Sequence, residues 1–280
     1  MNKKITPGKL REMKEEGEKI TMITAYDYPS AKVLERTEID SVLVGDSVGN
    51  TVLGYENTMP VTMEEMIRHT KAVSRGLERP LLIADMPFLS YQTSVEDAVR
   101  NAGRFIKETG AQAVKVEGGS EFFDQIRRII DAGVPVLGHL GLTPQRIHQF
   151  GGYQPRGRTV EEAKKIYDDA QKLEEVGVFG LVLESIPKEL GRKVTEKIDI
   201  PTIGIGAGPH CDGQVLVFHD LLGWTEFSPK FLKKYADLIS TIEEAVNGYI
   251  EEVKSVDFPT SEHSYEMDEE ILKELMDYLD

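Results

Sequence analysis

With one cysteine among 280 residues, Cys211, the chain has no partner for an intrachain disulfide, which fits a reducing compartment. It lacks any apolar run approaching the roughly 20 residues needed to cross a bilayer. Lys3 and Lys4 stand near the start with no apolar stretch after them, so no signal peptide is expected. Positive charge is also in short supply: 33 Lys and Arg against 48 Asp and Glu leave a net charge of −15. Nucleic acid and anionic membrane surfaces both require clustered positive charge and are therefore poor partners. An anionic substrate is not excluded, because a divalent metal or a local lysine can reverse the field inside a cleft. Hydrophobic and charged fractions of 40% and 29% are those of a soluble globular protein, and the cytoplasm is the expected location.

What is present is a repeat of short aliphatic runs. Ile20–Thr24, Ser41–Gly45, Leu81–Ala84, Ala113–Val116, Pro135–Gly138, Leu181–Leu183, Thr202–Ile205 and Val215–Phe218 read as parallel strands covered on both faces. Helical patterns separate most of them. Thr62–Arg75 opens with the capping sequence TMEE, and Ser94–Thr109 opens with SVED and stops at Gly110. Glu121–Ala132, Val160–Val176, Pro187–Lys197 and a segment around Phe231–Lys254 follow the same logic. The fold class is α/β. Eight strands alternating with helices predict a closed (β/α)8 barrel, with a doubly wound open sheet as the structural alternative. Residues 1–258 form a single barrel domain on this reading, and residues 259–280 an acidic C-terminal extension. A short helix over residues 6–17 is expected to cover the barrel floor. The closing EEILKELMDYLD is an amphipathic helix that either folds back on its own barrel or docks on a neighbouring subunit.

Five of the aliphatic runs lead into residues capable of chemistry: Asp46, Asp85, Lys115 with Glu117, His139, and Glu184. In a barrel of parallel strands these ends open onto one face, so residues distant in sequence converge. A lone aspartate after a strand is most often a turn former or helix cap. Asp46 and Asp85 on neighbouring strands, with Glu117 on the next, point instead to oxygen ligands for a Mg²⁺-type cation. No Cys/His spacing suggests zinc. Lys115 and Glu117 lie two apart on one strand and face the same way. Nearby anions favour the ammonium form of Lys115, making it a clamp for a substrate carboxylate rather than a Schiff-base former; an ordinary ion pair is the other alternative. Glu184, among apolar neighbours and apart from the acidic trio, suits a general base. His139 either orients substrate or bonds within the core. The glycines of GIGAG at 204–208 fit a phosphate cradle or close packing of the rim. The loop over residues 142–159, rich in Gly and Arg, is expected to be a mobile lid.

The stretches AYDYPSA (25–31), VGDSVGNTVLGYENTMPVT (44–62), IADMPFLSY (83–91), VKVEGG (114–119), GHLGLTPQ (138–145) and GIGAGPHCDGQVLVFHDLLG (204–223) closely resemble the ketopantoate hydroxymethyltransferase family. The similarity runs from about residue 5 to about residue 257. It implies a metal-dependent (β/α)8 barrel of the phosphoenolpyruvate mutase and isocitrate lyase group. The implied activity is transfer of a hydroxymethyl group from 5,10-methylenetetrahydrofolate, a co-substrate, to 3-methyl-2-oxobutanoate. The product is 2-dehydropantoate, on the way to pantothenate and coenzyme A. Carried over residue by residue, Asp46 and Asp85 match Mg²⁺ ligands, one ion per subunit, and Glu117 the third acidic metal position. Asp46, Ser47, Asp85 and Lys115 match contacts to the oxo acid, and Glu184 matches the proton acceptor. The resemblance also implies a homodecamer of two stacked pentameric rings. One departure stands in the lid, where Gln154-Pro155-Arg156 replaces a Lys-Val-Gln type of sequence and bears on lid conformation and folate affinity. The implied chemistry, a Mg²⁺-stabilised enolate formed by loss of the C3 proton, suits the residues. Rival readings are a Mg²⁺-dependent oxo-acid carbon–carbon lyase without folate, a Schiff-base aldolase, and a non-catalytic metabolite-binding barrel.

Overall fold

The computed structural model describes residues 4–279; Met1–Lys3, and with them the Lys3 of the amino-terminal expectation, and Asp280 lie outside the described residues. In chain order the elements are α1 (Pro7–Glu16), β1 (Ile20–Thr24), α2 (Tyr28–Leu34), β2 (Ser41–Val44), α3 (Val48–Thr51), α4 (Met63–Ser74), β3 (Leu81–Asp85), α5 (Val95–Thr109), β4 (Ala113–Glu117), α6 (Phe123–Asp131), β5 (Val136–Gly141), α7 (Ile147–Phe150), α8 (Val160–Val176), β6 (Gly180–Glu184), α9 (Lys188–Lys197), β7 (Thr202–Ile205), β8 (Gly213–Leu216), α10 (Phe218–Leu221), α11 (Leu238–Ser255) and α12 (Glu269–Leu279). The strands close into a barrel in sequential order, every pair parallel, with β8 returning to β1. This is the predicted (β/α)8 architecture rather than the open sheet.

Side-chain alternation divides the barrel interior into two zones. At the bottom Met22, Leu43, Ile83, Ala113, Leu137, Val182, Ile203 and Val215 form one apolar cluster. Leu10 and Met13 of α1 join that cluster, so the first helix plugs the floor as expected. It is placed there by its ends: the Thr6 hydroxyl accepts from Lys9 N–H, Pro7 fits the first turn, and Gly17 closes the helix at φ 74°. Two residues further along β3 to β6 the same inward row turns polar, from Ile83 to Asp85, Ala113 to Lys115, Leu137 to His139 and Val182 to Glu184. Outward residues such as Val42, Val44, Leu82, Val114, Val136 and Leu181 pack in a second cluster with Met66, Phe105, Ile126 and Leu173 of the surrounding helices.

Several boundaries differ from the predicted ones. β5 and β6 extend to Gly141 and Glu184, so His139 lies inside a strand. The eighth strand starts at Gly213, not Val215, and ends at Leu216, because Val217 already leads into α10, where Phe218 N–H donates to Thr24 Oγ1 at 3.0 Å. Only glycine suits the start of that strand, since a Cβ there would meet Ile20 O at 2.4 Å. The helix expected from Phe231 begins instead at Leu238, capped by Asp237. The preceding residues are tied elsewhere: Tyr235 N–H donates to Leu221 O at 2.8 Å and Leu238 N–H to Leu222 O at 3.0 Å. Neither α11 nor α12 has a buried residue, so the acidic tail helix does not fold back on its own barrel.

If α1 is the floor plug, Leu10→Ala removes a side chain that is 1% exposed and leaves a cavity under the barrel. A loss of about 2–5 kcal/mol is expected, measured as a lower urea midpoint at unchanged slope.

Candidate metal and active site

The strand ends bring six of the singled-out residues to one mouth. Asp46 sits in the turn after β2, held by Val48 N–H donating to Gly45 O and Gly49 N–H to Asp46 O. Asp85 ends β3, Lys115 and Glu117 lie on β4, and His139 on β5; all are buried, with Asp46 at 4% exposure and the others no more exposed than that. Glu184 ends β6 with its side chain 18% exposed. Parallel register places Asp85 opposite Lys115 and Glu117 opposite His139. Oxygens of Asp46, Asp85 and Glu117 lie within 4.8 Å of one another, an arrangement that could hold a metal ion. Glu184 stands outside that trio, as expected.

Lys115 Nζ lies 2.6 Å from both Asp85 carboxylate oxygens and 3.4 Å from Glu117 Oε1. Burial works against its charge, but Asp85, Glu117 and Asp46 outweigh burial and hold the ammonium above the ordinary lysine range. A lysine held so firmly in its charged form is a poor Schiff-base nucleophile. Burial first, then the charges of Asp85 and Glu117, pushes the Asp46 carboxyl well above its usual range. Burial likewise raises Asp85, less so because Lys115 counters it. Glu117 goes the other way: burial would raise it, but Lys115 and His139 bring it below the usual range. His139 lies between two acids, with Nδ1 3.4 Å from Glu117 Oε1 and Nε2 3.3 Å from Glu184 Oε2, ion-pair contacts short of well-formed hydrogen bonds. Burial disfavours its cation, yet the two carboxylates lift the imidazole to about 9. His139 thus lies between the acidic trio and Glu184.

Two neutral residues that no charge pattern marks complete the site. Buried Gln145 donates from Nε2 to Asp46 Oδ2 and to Met86 O, both at 2.9 Å, and its backbone N–H donates to Glu117 Oε2 at 3.2 Å. One residue, through its side chain and its backbone N–H, therefore fixes two members of the trio. The Tyr91 hydroxyl lies 2.9 Å from both Gln145 Oε1 and Glu117 O, which orients the amide. Their only trace in the sequence is their place at the ends of GHLGLTPQ and IADMPFLSY. Ser47 sits beside the trio with its hydroxyl 2.7 Å from the Tyr26 hydroxyl.

The surroundings are shaped around these groups. Ser185, immediately after Glu184, has φ 48°, a left-handed conformation uncommon for a non-glycine residue. It is held by Ser185 N–H donating to Ile205 O at 2.8 Å and by Arg156 N–H donating to Ser185 O at 2.9 Å. Arg156 belongs to the departing Gln154-Pro155-Arg156 segment, and its guanidinium pairs with Glu162. Within the expected lid, burial and then the negative field of Asp46, Glu184 and Glu117 raise the Tyr153 phenol above its usual range. The GIGAG glycines serve close packing: a Cβ at Gly208 would meet Lys188 Cβ at 2.4 Å, and one at Gly206 would meet the Phe231 ring at 3.0 Å.

The family model described as ketopantoate hydroxymethyltransferase matches residues 4–261. A 3-methyl-2-oxobutanoate hydroxymethyltransferase of a Thermoanaerobacter species is 56% identical over 269 residues, covering 96% of this chain and 98% of its own. Its namesake from Geobacter metallireducens is 55% identical over 266 residues, with 95% and 100% covered. Among solved structures, phosphonopyruvate hydrolase aligns with TM-score 0.62 at 12% identity, covering 98% of this chain and 96% of that one. 2,3-Dimethylmalate lyase, a PEP mutase/isocitrate lyase superfamily member, aligns at 0.59 with 17% identity, covering 97% and 96%. These two likenesses are of fold.

A histidine whose folded pKa is raised stabilises the protein fully below its unfolded value near 6.5 and loses that contribution as pH rises through about 9. In metal-free protein the melting-temperature advantage of wild type over His139→Gln is therefore expected to be largest at pH 6 and to shrink by pH 9.5. An advantage independent of pH would contradict that contribution.

Proposed function

The chain belongs to the ketopantoate hydroxymethyltransferase family, and from that premise we propose that it transfers a hydroxymethyl group from 5,10-methylenetetrahydrofolate to 3-methyl-2-oxobutanoate, forming 2-dehydropantoate for pantothenate and coenzyme A synthesis. The observation that carries the reading to chemistry is the buried trio Asp46, Asp85 and Glu117 beside a charged lysine, with Glu184 a short step away.

The donor set fits a divalent cation. It is all oxygen, and burial, with the charges of Asp85 and Glu117 added, pushes the Asp46 carboxyl well above its usual range. Asp46, Asp85 and Glu117 would hold Mg²⁺, which when bound supplies Lewis-acid polarisation of the substrate's keto group, worth several kcal/mol. The rest falls to this chain's own residues. Lys115, kept cationic by its neighbours, holds the substrate carboxylate, and Asp46, Ser47 and Asp85 complete the contacts to the oxo acid. Glu184 takes the C3 proton onto a carboxylate oxygen. His139 stands between Glu184 and Glu117 and positions both carboxylates. Water adds to the donor's methylene carbon and both of its carbon–nitrogen bonds break, leaving tetrahydrofolate with two N–H groups and a one-carbon unit at the formaldehyde level. C3 attacks that carbon, and the resulting alkoxide takes back the proton held by Glu184 to give the hydroxymethyl group. Tyr153 and the loop around it exclude solvent from the mouth.

On the same reading residues 1–258 are the catalytic barrel and 259–280 an acidic extension. The site of action is the cytoplasm and the assembly a homodecamer of two pentameric rings. In support, the net charge of −15 disfavours nucleic acid, and no helix among the described residues is long and apolar enough to cross a membrane. The exposed apolar residues of α11 and α12, among them Val246, Tyr249, Ile271 and Leu275, are faces that an assembly would cover.

Two measurements test the reading. Mass-spectrometric detection of 2-dehydropantoate should require Mg²⁺, the oxo acid and the methylene donor together, and Glu184→Gln should lower kcat by about 10²–10⁴-fold. Turnover of oxo acid without folate would favour the folate-free lyase. Separately, Mg²⁺ should raise the melting temperature of wild type but not of Asp85→Asn; an equal shift in both would put the ion elsewhere.

A further inference from the structure

We propose that Glu162, on the outer helix α8, is a positioning residue for Glu184: its carboxylate clamps the root of the 142–159 loop, and the clamped root fixes the backbone that follows Glu184. This inference rests on the reading of Glu184 as proton acceptor and adds to it what holds that acceptor in place.

One sequence pattern, Thr-x-x-Glu, opens two helices and is used differently in each: Thr62 to Glu65 at α4 and Thr159 to Glu162 at α8. At α4 it closes on itself as a capping box. Glu65 N–H donates to Thr62 Oγ1 at 3.2 Å, and Thr62 N–H donates to Glu65 Oε2 at 2.7 Å. At α8 the first half is kept, with Glu162 N–H donating to Thr159 Oγ1 at 3.2 Å. The glutamate side chain, however, reaches past its cap into the loop. Its Oε2 accepts from Gly157 N–H at 3.0 Å and from Arg158 N–H at 3.2 Å, and its Oε1 pairs with the Arg156 guanidinium at 2.5 Å. One carboxylate thus holds three consecutive loop residues. Their seat is tight: Gly157 is buried, and a Cβ on it would meet Leu190 Cδ2 at 2.7 Å and Ile166 Cδ1 at 3.1 Å. Residues 153–155, just before this root, are exposed.

From the root the constraint passes to the site. Arg156 N–H donates to Ser185 O at 2.9 Å, Ser185 N–H donates to Ile205 O at 2.8 Å, and Leu142 N–H donates to Glu184 O at 2.9 Å. Two of these bonds come from residues at the ends of the neighbouring strands β5 and β7; the bond from Arg156 is the loop's own contribution. Ser185 holds φ 48°, and loss of one partner lets it relax toward the ordinary region and turn the adjoining Glu184. Proton abstraction tolerates little of this, since a displacement of about 1 Å can cost roughly 10²-fold in rate. Glu162 belongs neither to the acidic trio nor to the residues assigned to the oxo acid, so it acts through the loop.

The test compares wild type with Glu162→Ala, with Glu162→Gln, whose amide keeps an acceptor oxygen for the loop N–H groups, and with Glu196→Ala, which removes an exposed ion-pairing glutamate of α9. Circular dichroism checks the folding of each. Glu162→Ala is expected to slow both C3 proton exchange of 3-methyl-2-oxobutanoate with Mg²⁺ and kcat by about 10–10²-fold. KM for the oxo acid should move less than about threefold, because the substrate contacts are untouched. The rise in melting temperature with Mg²⁺ should persist, while amide hydrogen exchange at Arg156, Gly157 and Arg158 accelerates. Glu162→Gln, which loses the charge but keeps the backbone bonds, should fall between, about threefold below wild type, and Glu196→Ala should match wild type. Exchange and kcat within twofold of wild type in Glu162→Ala, or a raised KM at unchanged kcat, overturns the positioning role, while wild-type turnover leaves the transfer reading standing. If the alanine variant does not fold, a glutamine variant with wild-type rates and wild-type amide exchange overturns it. If wild type shows no Mg²⁺-dependent C3 exchange, the proton-acceptor reading fails and this one with it.

Discussion

Three carboxylates crowded within 4.8 Å inside a barrel mouth set the constraint to which the rest of the site answers. Buried like charges cannot all stay ionised without compensation. Lys115 neutralises Asp85 and partly Glu117, His139 contributes a second positive charge against Glu117, and Gln145 gives Asp46 a hydrogen bond but no charge. Asp46 is thus the carboxyl left most strongly raised. The arrangement is short of one cation, which is the physical basis for reading it as a divalent-metal site. A core built only for stability would place apolar side chains here, because buried ion pairs seldom repay their desolvation.

The fold keeps that cost local. The period of two along each strand lets one inward row be apolar below and charged above, so the barrel can be solid at its floor and reactive at its mouth. Plugging the floor with Leu10 and Met13 frees the upper layer from carrying the core. The charged residues then form a line from Asp85 through Lys115, Glu117 and His139 to Glu184, crossing four adjacent strands. On the proposed reading, metal, carboxylate clamp and proton acceptor would act on neighbouring atoms of one small substrate, which is the geometry enolisation requires.

Much of this was legible in the chain itself, for definite reasons. Asp46, Asp85, Lys115, Glu117, His139 and Glu184 stand at the ends of aliphatic runs, and parallel strands allow such ends only one place to meet. Gln145 and Tyr91 were hidden because a neutral amide and a phenol carry no pattern; their importance lies in contacts between residues 54 positions apart. Short helices such as α2 and α10, of seven and four residues, are below the length at which apolar periodicity shows. The start of α11 was misplaced because hydrogen bonds from Tyr235 and Leu238 to Leu221 and Leu222 override the helical pattern of Phe231–Tyr235. The relation of His139 to both Glu117 and Glu184 depended on register, which strand composition does not reveal.

The most direct measurement is proton NMR of 3-methyl-2-oxobutanoate in D₂O with the protein, with and without Mg²⁺ and in the absence of folate. The account predicts loss of the C3 proton signal only when Mg²⁺ is present, since abstraction by Glu184 depends on the filled acidic trio. Exchange at the same rate without any divalent ion, or no exchange under either condition, would contradict it.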